Sequence, residues 1–142
     1  MLRVNPFKIG LLLVASVVLG LANGWLNPHR PAWSEEVLLE GEIRLTDVMS
    51  AASPVLWVDA RSSKDYEAGK IPSAIPLNED QWDELLPEFL SVWQPSMRVV
   101  VYCSSQKCRA SHEVAQRLKS EMGLSEVYVL KGGWEAWLAR NE

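Results

Sequence analysis

The chain has 142 residues, 48% of them hydrophobic and 23% charged, with a formal net charge of −4 and a mean hydropathy of −0.04. That length holds one ordinary domain and a short appendage, with core enough to need no disulfide staples. The averages exclude a disordered chain, a collagen and a polytopic membrane protein. They also hide an asymmetry: residues 1–33 carry Arg3, Lys8 and Arg30 and no acid, whereas all 18 acidic residues follow. An acidic body without basic clusters argues against nucleic acid as the partner. Two cysteines are too few for a disulfide scaffold or a self-sufficient zinc site.

After a short tail over residues 1–8, the first element is the apolar run IGLLLVASVVLGLANGWL, residues 9–26, whose polar side chains are Ser16 and Asn23. As a helix it spans roughly 27 Å, just enough for a bilayer core. Trp25 and Trp33 suit the far interface. The competing reading is a secretory signal cut before Trp25, with Arg3 and Lys8 as its basic region and Ala22 and Gly24 as the small residues before the cut. The apolar run is longer than such a signal needs, so a single-pass anchor is expected. In both readings the basic N-terminus stays inside and the acidic body is exported, to the periplasm or cell exterior. A protein cut after residue 24 is secreted.

Residues 27–41, with Pro28 and Pro31, read as a linker, and residues 42–140 as the domain. Glu42–Leu45 is expected as a short edge strand, with Thr46 capping a helix that runs to Ser50. Val55–Asp59 is an apolar run of strand length. Ser63–Ala68 forms a helical turn or two closed by Gly69, and Ala74–Leu77 a short strand. Between Gln81 and Trp93, apolar residues fall at helical spacing, with Pro87 starting, kinking or splitting that helix. Arg98–Tyr102 (RVVVY) is the most strongly buried strand. Ala110–Met122 is helical, Val127–Leu130 a strand, and Gly133–Arg140 a closing helix. Apolar strands alternating with helices predict an α/β sandwich, a mostly parallel sheet with helices on both faces.

In such sheets chemistry sits beyond the carboxyl ends of the strands. Two of those ends stand out, Asp59-Ala60-Arg61 and Cys103-Ser104-Ser105-Gln106-Lys107-Cys108-Arg109. A loop between a strand and a helix can turn successive backbone N–H groups inward as an anion cradle, which lowers a thiol's pKa. Lys107 and Arg109 reinforce that effect. No histidine lies beside Cys103, so a Cys–His pair has no local support. Cys103 is therefore either a nucleophile or a buried apolar residue at a strand end. Asp59 and Arg61 are expected to brace the loop from below. Cys103, Cys108 and His112 have the spacing of three metal ligands, but a fourth is absent locally and no metal is expected. His29 is read as a membrane-flank residue and His112 as a solvated helix position. Gly132 and Gly133 belong to a tight turn, and Trp57, Trp82, Trp93, Trp134 and Trp137 to core and rim.

The segments VLWVDARSSKDYEAGKIPSAIPLN, RVVVYCSSQKCRAS and VYVLKGGWEAW resemble the three signatures of a rhodanese-like domain, over roughly residues 42–140. The resemblance implies that Cys103 accepts sulfur from a sulfane donor such as thiosulfate, holds it as a persulfide and passes it to a thiol acceptor. It implies no metal or organic cofactor. Its loop N–H groups, from Ser104 through Arg109, would hold the substrate and the persulfide anion. The protein partner is not readable from the chain.

Three departures from the family pattern carry information. Lys70 and Ser73 replace the usual histidine and glycine. The loop lacks glycine and has the longer C-x5-R spacing of family members acting on phosphate or arsenate, where arginine clamps an oxyanion. Those relatives have histidine before the cysteine, where this chain has Tyr102. Cys108 reads either as a small residue at the helix start or as a resolving thiol for Cys103. Besides the anchored sulfurtransferase, the sequence thus admits oxyanion chemistry and a non-catalytic or redox-sensing binding module.

Overall fold

Alternate residues of each strand feed two separate cores, which is why the strands read as near-continuous apolar runs. The computed structural model describes residues 14–17, 37–105 and 109–140. The chain divides into two compact units, Met1–Val37 and Leu38–Glu142. In the first, Val14–Val17 are helical. The rest of the expected transmembrane segment 9–26, His29, Trp25 and Trp33 lie outside the described residues. Among the described residues no helix is long and apolar enough to cross a membrane.

The second unit contains β1 (Glu42–Ile43), α1 (Leu45–Ser50), β2 (Val55–Asp59), α2 (Ser63–Ala68), β3 (Ile75–Pro76), α3 (Trp82–Val92), β4 (Arg98–Tyr102), α4 (Ala110–Met122), β5 (Val127–Leu130) and α5 (Gly133–Ala139). Its sheet has the order β1-β5-β4-β2-β3, with every neighbouring pair parallel. On one face Leu56, Val58, Val99, Val101, Val127 and Val129 pack with Trp82 and Phe89 of α3 and with Val114, Ala115 and Leu118 of α4. On the other, Trp57, Val100, Tyr102 and Leu130 pack with Val48 of α1 and with Trp134 and Trp137 of α5. Helices thus cover both faces, as expected of a parallel sheet. Fully buried Val58, Val99, Val100 and Val101 each contribute on the order of 1.5–3 kcal/mol of burial.

The topology also creates a crevice. From β2 the chain moves outward to β3, then crosses back so that β4 and β5 lie on the other side of β2. Beyond the adjacent ends of β2 and β4 the connections diverge, and a cleft opens there.

Three local expectations are corrected and a fourth, the role of Pro87, is narrowed. The first strand stops at Ile43, because Leu45 already starts α1. Thr46 is not its cap: the N-cap is Arg44, with no side-chain cap bond, and the Thr46 hydroxyl contacts Asp47 instead. The third strand shrinks to Ile75–Pro76, since it pairs with β2 alone through Val58 and Asp59. Pro87 lies inside a continuous α3. A mid-helix proline costs about 3 kcal/mol through the lost bond to the carbonyl four residues back. The burial of Trp82 and Phe89 on either side of it offsets that cost. By contrast α2 has a true cap, Ser62, whose hydroxyl oxygen accepts the Asp65 N–H at 3.3 Å.

Candidate functional site

Cys103 follows the last residue of β4 and is buried, at 1% exposure. Its carbonyl accepts the Trp134 N–H at 2.7 Å, and the Ser104 carbonyl accepts the Glu135 N–H at 3.2 Å. The first turn of α5 therefore anchors the start of the loop. Only glycine fits at position 133, where φ is +56° and a Cβ would stand 2.3 Å from the Cys103 carbonyl oxygen. The Gly132-Gly133 turn at the start of α5 thus holds the cysteine loop.

Among the described residues, two polar groups stand near the sulfur. The buried Ser111 hydroxyl, on the first turn of α4, donates to Cys103 Sγ at 3.5 Å. The Ser105 carbonyl lies 3.6 Å away, placed to accept from the thiol in reduced protein. Cys103 is disulfide-bonded in this structure, and one other cysteine, Cys108, is present in the sequence. Gln106, Lys107 and Cys108 lie outside the described residues. Arg109 has an 87% exposed side chain and pairs with Glu113 at 3.1 Å. Its guanidinium is engaged at the surface.

Under the loop lies a buried polar network. Asp59 and Tyr102 share one register position on paired strands, so the Tyr102 hydroxyl reaches Asp59 Oδ2 at 2.7 Å. The same hydroxyl accepts the Ile71 N–H at 3.2 Å. Arg61 meets Asp59 through its own N–H at 3.0 Å, Nε at 3.0 Å and Nη2 at 2.6 Å, and Nη2 also reaches the Gly69 carbonyl. The guanidinium lies over the Trp134 ring at 4.7 Å and near the Tyr102 ring. Burial pulls the Arg61 pKa down, but hydrogen bonding and charge from Asp59 outweigh it, and the net shift is upward. Burial and the bond to Asp59 push the Tyr102 phenol well above its ordinary value. Both groups keep their protons in any ordinary buffer. The Asp59–Arg61 pair is therefore a rigid brace joining the β2 turn, the β4 end and α5.

The cleft at the strand ends is a cavity of about 320 Å³ lined by residues that include Ala60, Arg61, Asn78, Ser104, Ala110 and Glu113. Asn78 holds its far wall, with Nδ2 donating to the Arg61 carbonyl at 3.3 Å and Oδ1 accepting the Gln81 N–H at 2.9 Å. A larger cavity, about 680 Å³, is lined by Glu40, His112, Gln116 and Lys119 among others. None of the strand-end residues line it, so the smaller one is the candidate site. His112, expected as a solvated position, stands 3.7 Å from buried Glu42, which pairs with Lys131 at 3.0 Å.

Tyr102, Ser111, Asn78, Trp134 and the Glu42–Lys131 pair were not legible as site or brace residues. The Tyr102 signal was present, a polar-tipped residue closing an all-valine strand. Its partners are 31 and 43 residues away, beyond any local pattern.

A family model for the rhodanese-like domain matches residues 44–140. Among solved structures, a Bacillus halodurans protein aligns with a TM-score of 0.58 at 22% identity, over 70% of this chain and 72% of its own. A rhodanese-related protein of Thermoplasma volcanium aligns with a TM-score of 0.54 at 19% identity, over 70% and 91%. A rhodanese-like domain protein of Staphylococcus aureus gives 0.51 at 23%, over 68% and 89%. At these identities the structures speak to the fold alone. The family model reaches from the end of β1 through the whole of α5, taking in both strand ends and the Gly-Gly turn that anchors the cysteine loop, and on that extent the chain belongs to the rhodanese-like domain family.

Proposed function

We propose that the protein is a sulfurtransferase, held at the membrane by residues 9–26 with its domain outside the cytoplasm, in which Cys103 is the sulfur carrier. The observation that carries the reading is the position of Cys103 at the β4 end, with the Ser111 hydroxyl on its sulfur and the cavity beside its loop. In the reduced protein the Cys103 thiolate attacks the outer sulfur of a sulfane donor. The donor's S–S bond breaks, the new Cys103 S–S bond forms, and thiosulfate would leave sulfite. A thiol acceptor then takes the outer sulfur and the Cys103 thiolate is restored. Ser111 supports both anions by donating its hydrogen bond. The persulfide needs no metal or organic cofactor.

Mass spectrometry of the reduced full chain, mixed with thiosulfate or with an organic persulfide, tests this directly. A gain of one sulfur atom, about 32 Da, on Cys103, absent from Cys103→Ser, is expected. No adduct with any sulfane donor would sink the reading.

A second reading is favoured by one observation, the disulfide on Cys103. In it Cys103 and Cys108 exchange between dithiol and disulfide with an external dithiol, and the domain passes reducing equivalents or senses them. Thiol titration separates the two. Two free thiols in air-exposed protein count against a ready redox pair, whereas none before and two after treatment with a dithiol support it. Oxyanion chemistry draws no support from Arg109, whose guanidinium is paired with Glu113.

A further inference from the structure

A buried carboxylate away from the cleft stands against both segments that hold Cys103. Among the described residues, Ser111 of α4 donates to the sulfur, and the Trp134 N–H of α5 donates to the carbonyl. His112 follows Ser111 in the chain, and Lys131 opens the Gly132-Gly133 turn that leads to Trp134. Both side chains meet Glu42 of β1. Lys131 Nζ donates to Glu42 Oε2 at 3.0 Å, and His112 Nε2 stands 3.7 Å from Glu42 Oε1. The Leu39 N–H also donates to Oε2, at 2.9 Å. The side chains of Glu42 and Lys131 are 3% and 7% exposed.

The path from this pair to the cysteine is short and stiff. The Lys131 N–H donates to the Ile43 carbonyl at 2.9 Å, so the turn is fixed to β1 through backbone as well as side chain. Gly132 and Gly133 follow with φ of +76° and +56°, and Gly133 lies directly against the Cys103 carbonyl. A shift of Lys131 is therefore passed to the Trp134 N–H with little slack. β1 is two residues long and has β5 as its strand neighbour, so backbone pairing by itself holds it weakly. A buried ion pair is a poor source of net stability, because desolvation offsets its attraction. What it fixes well is geometry.

We propose that Glu42, acting through Lys131, is a positioning residue for Cys103: its carboxylate ties the first turn of α4 to the turn before α5 and so keeps the sulfur against the Ser111 hydroxyl. This rests on the reading of Cys103 as the reacting group, and it extends that group's support to an edge strand outside the cleft. Without the tie, the Cys103 carbonyl and the Ser111 hydroxyl can move apart, and the thiolate loses a hydrogen bond that favours it.

The test is the pH profile of iodoacetamide alkylation at Cys103, read by peptide mass spectrometry on the reduced full chain. Glu42→Gln removes an anion and Lys131→Met removes a cation. A field acting directly on the sulfur would move these two profiles in opposite directions, Glu42→Gln to lower pH and Lys131→Met to higher. Positioning moves both to higher pH, with the rate below the midpoint falling about two- to thirtyfold, the range for coupling through a packed network. Lys131→Arg, which keeps the charge and a donor, should restore most of that rate. Glu42→Gln keeps an amide oxygen for Lys131 and Leu39, so it carries the test alone if Lys131→Met does not fold. In that variant the Trp134 amide should lose more hydrogen-exchange protection than the amides of β4. Opposite shifts, an unmoved Glu42→Gln profile, or Trp134 protection that falls only in step with β4 would overturn the proposal. Thiosulfate loading of the natural chain is a separate arm: its failure with every sulfane donor removes the sulfurtransferase reading, while the alkylation profiles decide the positioning of Cys103 with or without it.

Discussion

Asp59→Ala is the sharpest probe of the brace beneath the cysteine loop. Asp59 is wholly buried and its partner Arg61 has a 5% exposed side chain. Removing the carboxylate leaves a guanidinium buried without its anion, which typically costs about 3–5 kcal/mol. The Tyr102 hydroxyl also loses its acceptor, adding about 1–3 kcal/mol for an unsatisfied buried group. The two losses overlap, since both partners can relax toward the vacated space, so the total should lie near 4–6 kcal/mol. Urea unfolding of reduced protein at fixed pH and salt measures it. With a slope of about 1–3 kcal/mol/M, the midpoint should fall by about 1.3 M or more. Tyr102→Phe should cost about 1–3 kcal/mol, and the double variant should cost clearly less than the two singles together. A loss below about 1 kcal/mol for Asp59→Ala, or strict additivity with Tyr102→Phe, would refute the brace.

Gly133→Ala forces a Cβ onto the Cys103 carbonyl and a left-handed backbone onto alanine, about 1–2 kcal/mol for the backbone alone. It should slow Cys103 alkylation or sulfur loading even where urea shows the fold intact, because the Trp134 N–H bond to the loop is displaced. Ser111→Ala removes the hydroxyl from Sγ. The pH profile of iodoacetamide alkylation in reduced protein should then move to higher pH, with Ser111→Thr restoring it; an unmoved profile assigns Ser111 to packing alone. Glu42 is pushed up by burial but held down more strongly by the Leu39 N–H and by Lys131, so its folded pKa is below the ordinary 4.5. The unfolded chain then binds more protons. Its stabilisation is present above about pH 4.5 and is lost as pH falls through the lowered folded value. Urea midpoints from pH 6 to pH 3 should show that loss, and Glu42→Gln should remove Glu42's part of the slope.

The reach of the sequence can be judged element by element. β4, α4 and β5 keep their expected bounds because each is set by a local pattern, an apolar run of strand length or apolar residues at helical spacing. Cys103 was legible as a candidate for the same reason: strand end, loop and helix are consecutive in the chain. β1, β3 and the start of α1 were not, since an edge strand's length depends on its partner and not on its own residues. Nor could local pattern show that α3 absorbs Pro87.

The uneven spread of charge and the order of strands and helices are consequences of the sequence alone, because hydropathy and periodicity act over a few neighbouring residues. The brace of Asp59, Arg61 and Tyr102, the Ser111 hydroxyl on the sulfur, and the acidic lining of the cavity were decided only by the tertiary structure. They join β2, β4, α4 and α5, whose separations along the chain carry no local signal, and whose side chains meet because a parallel sheet brings its strand ends to one edge.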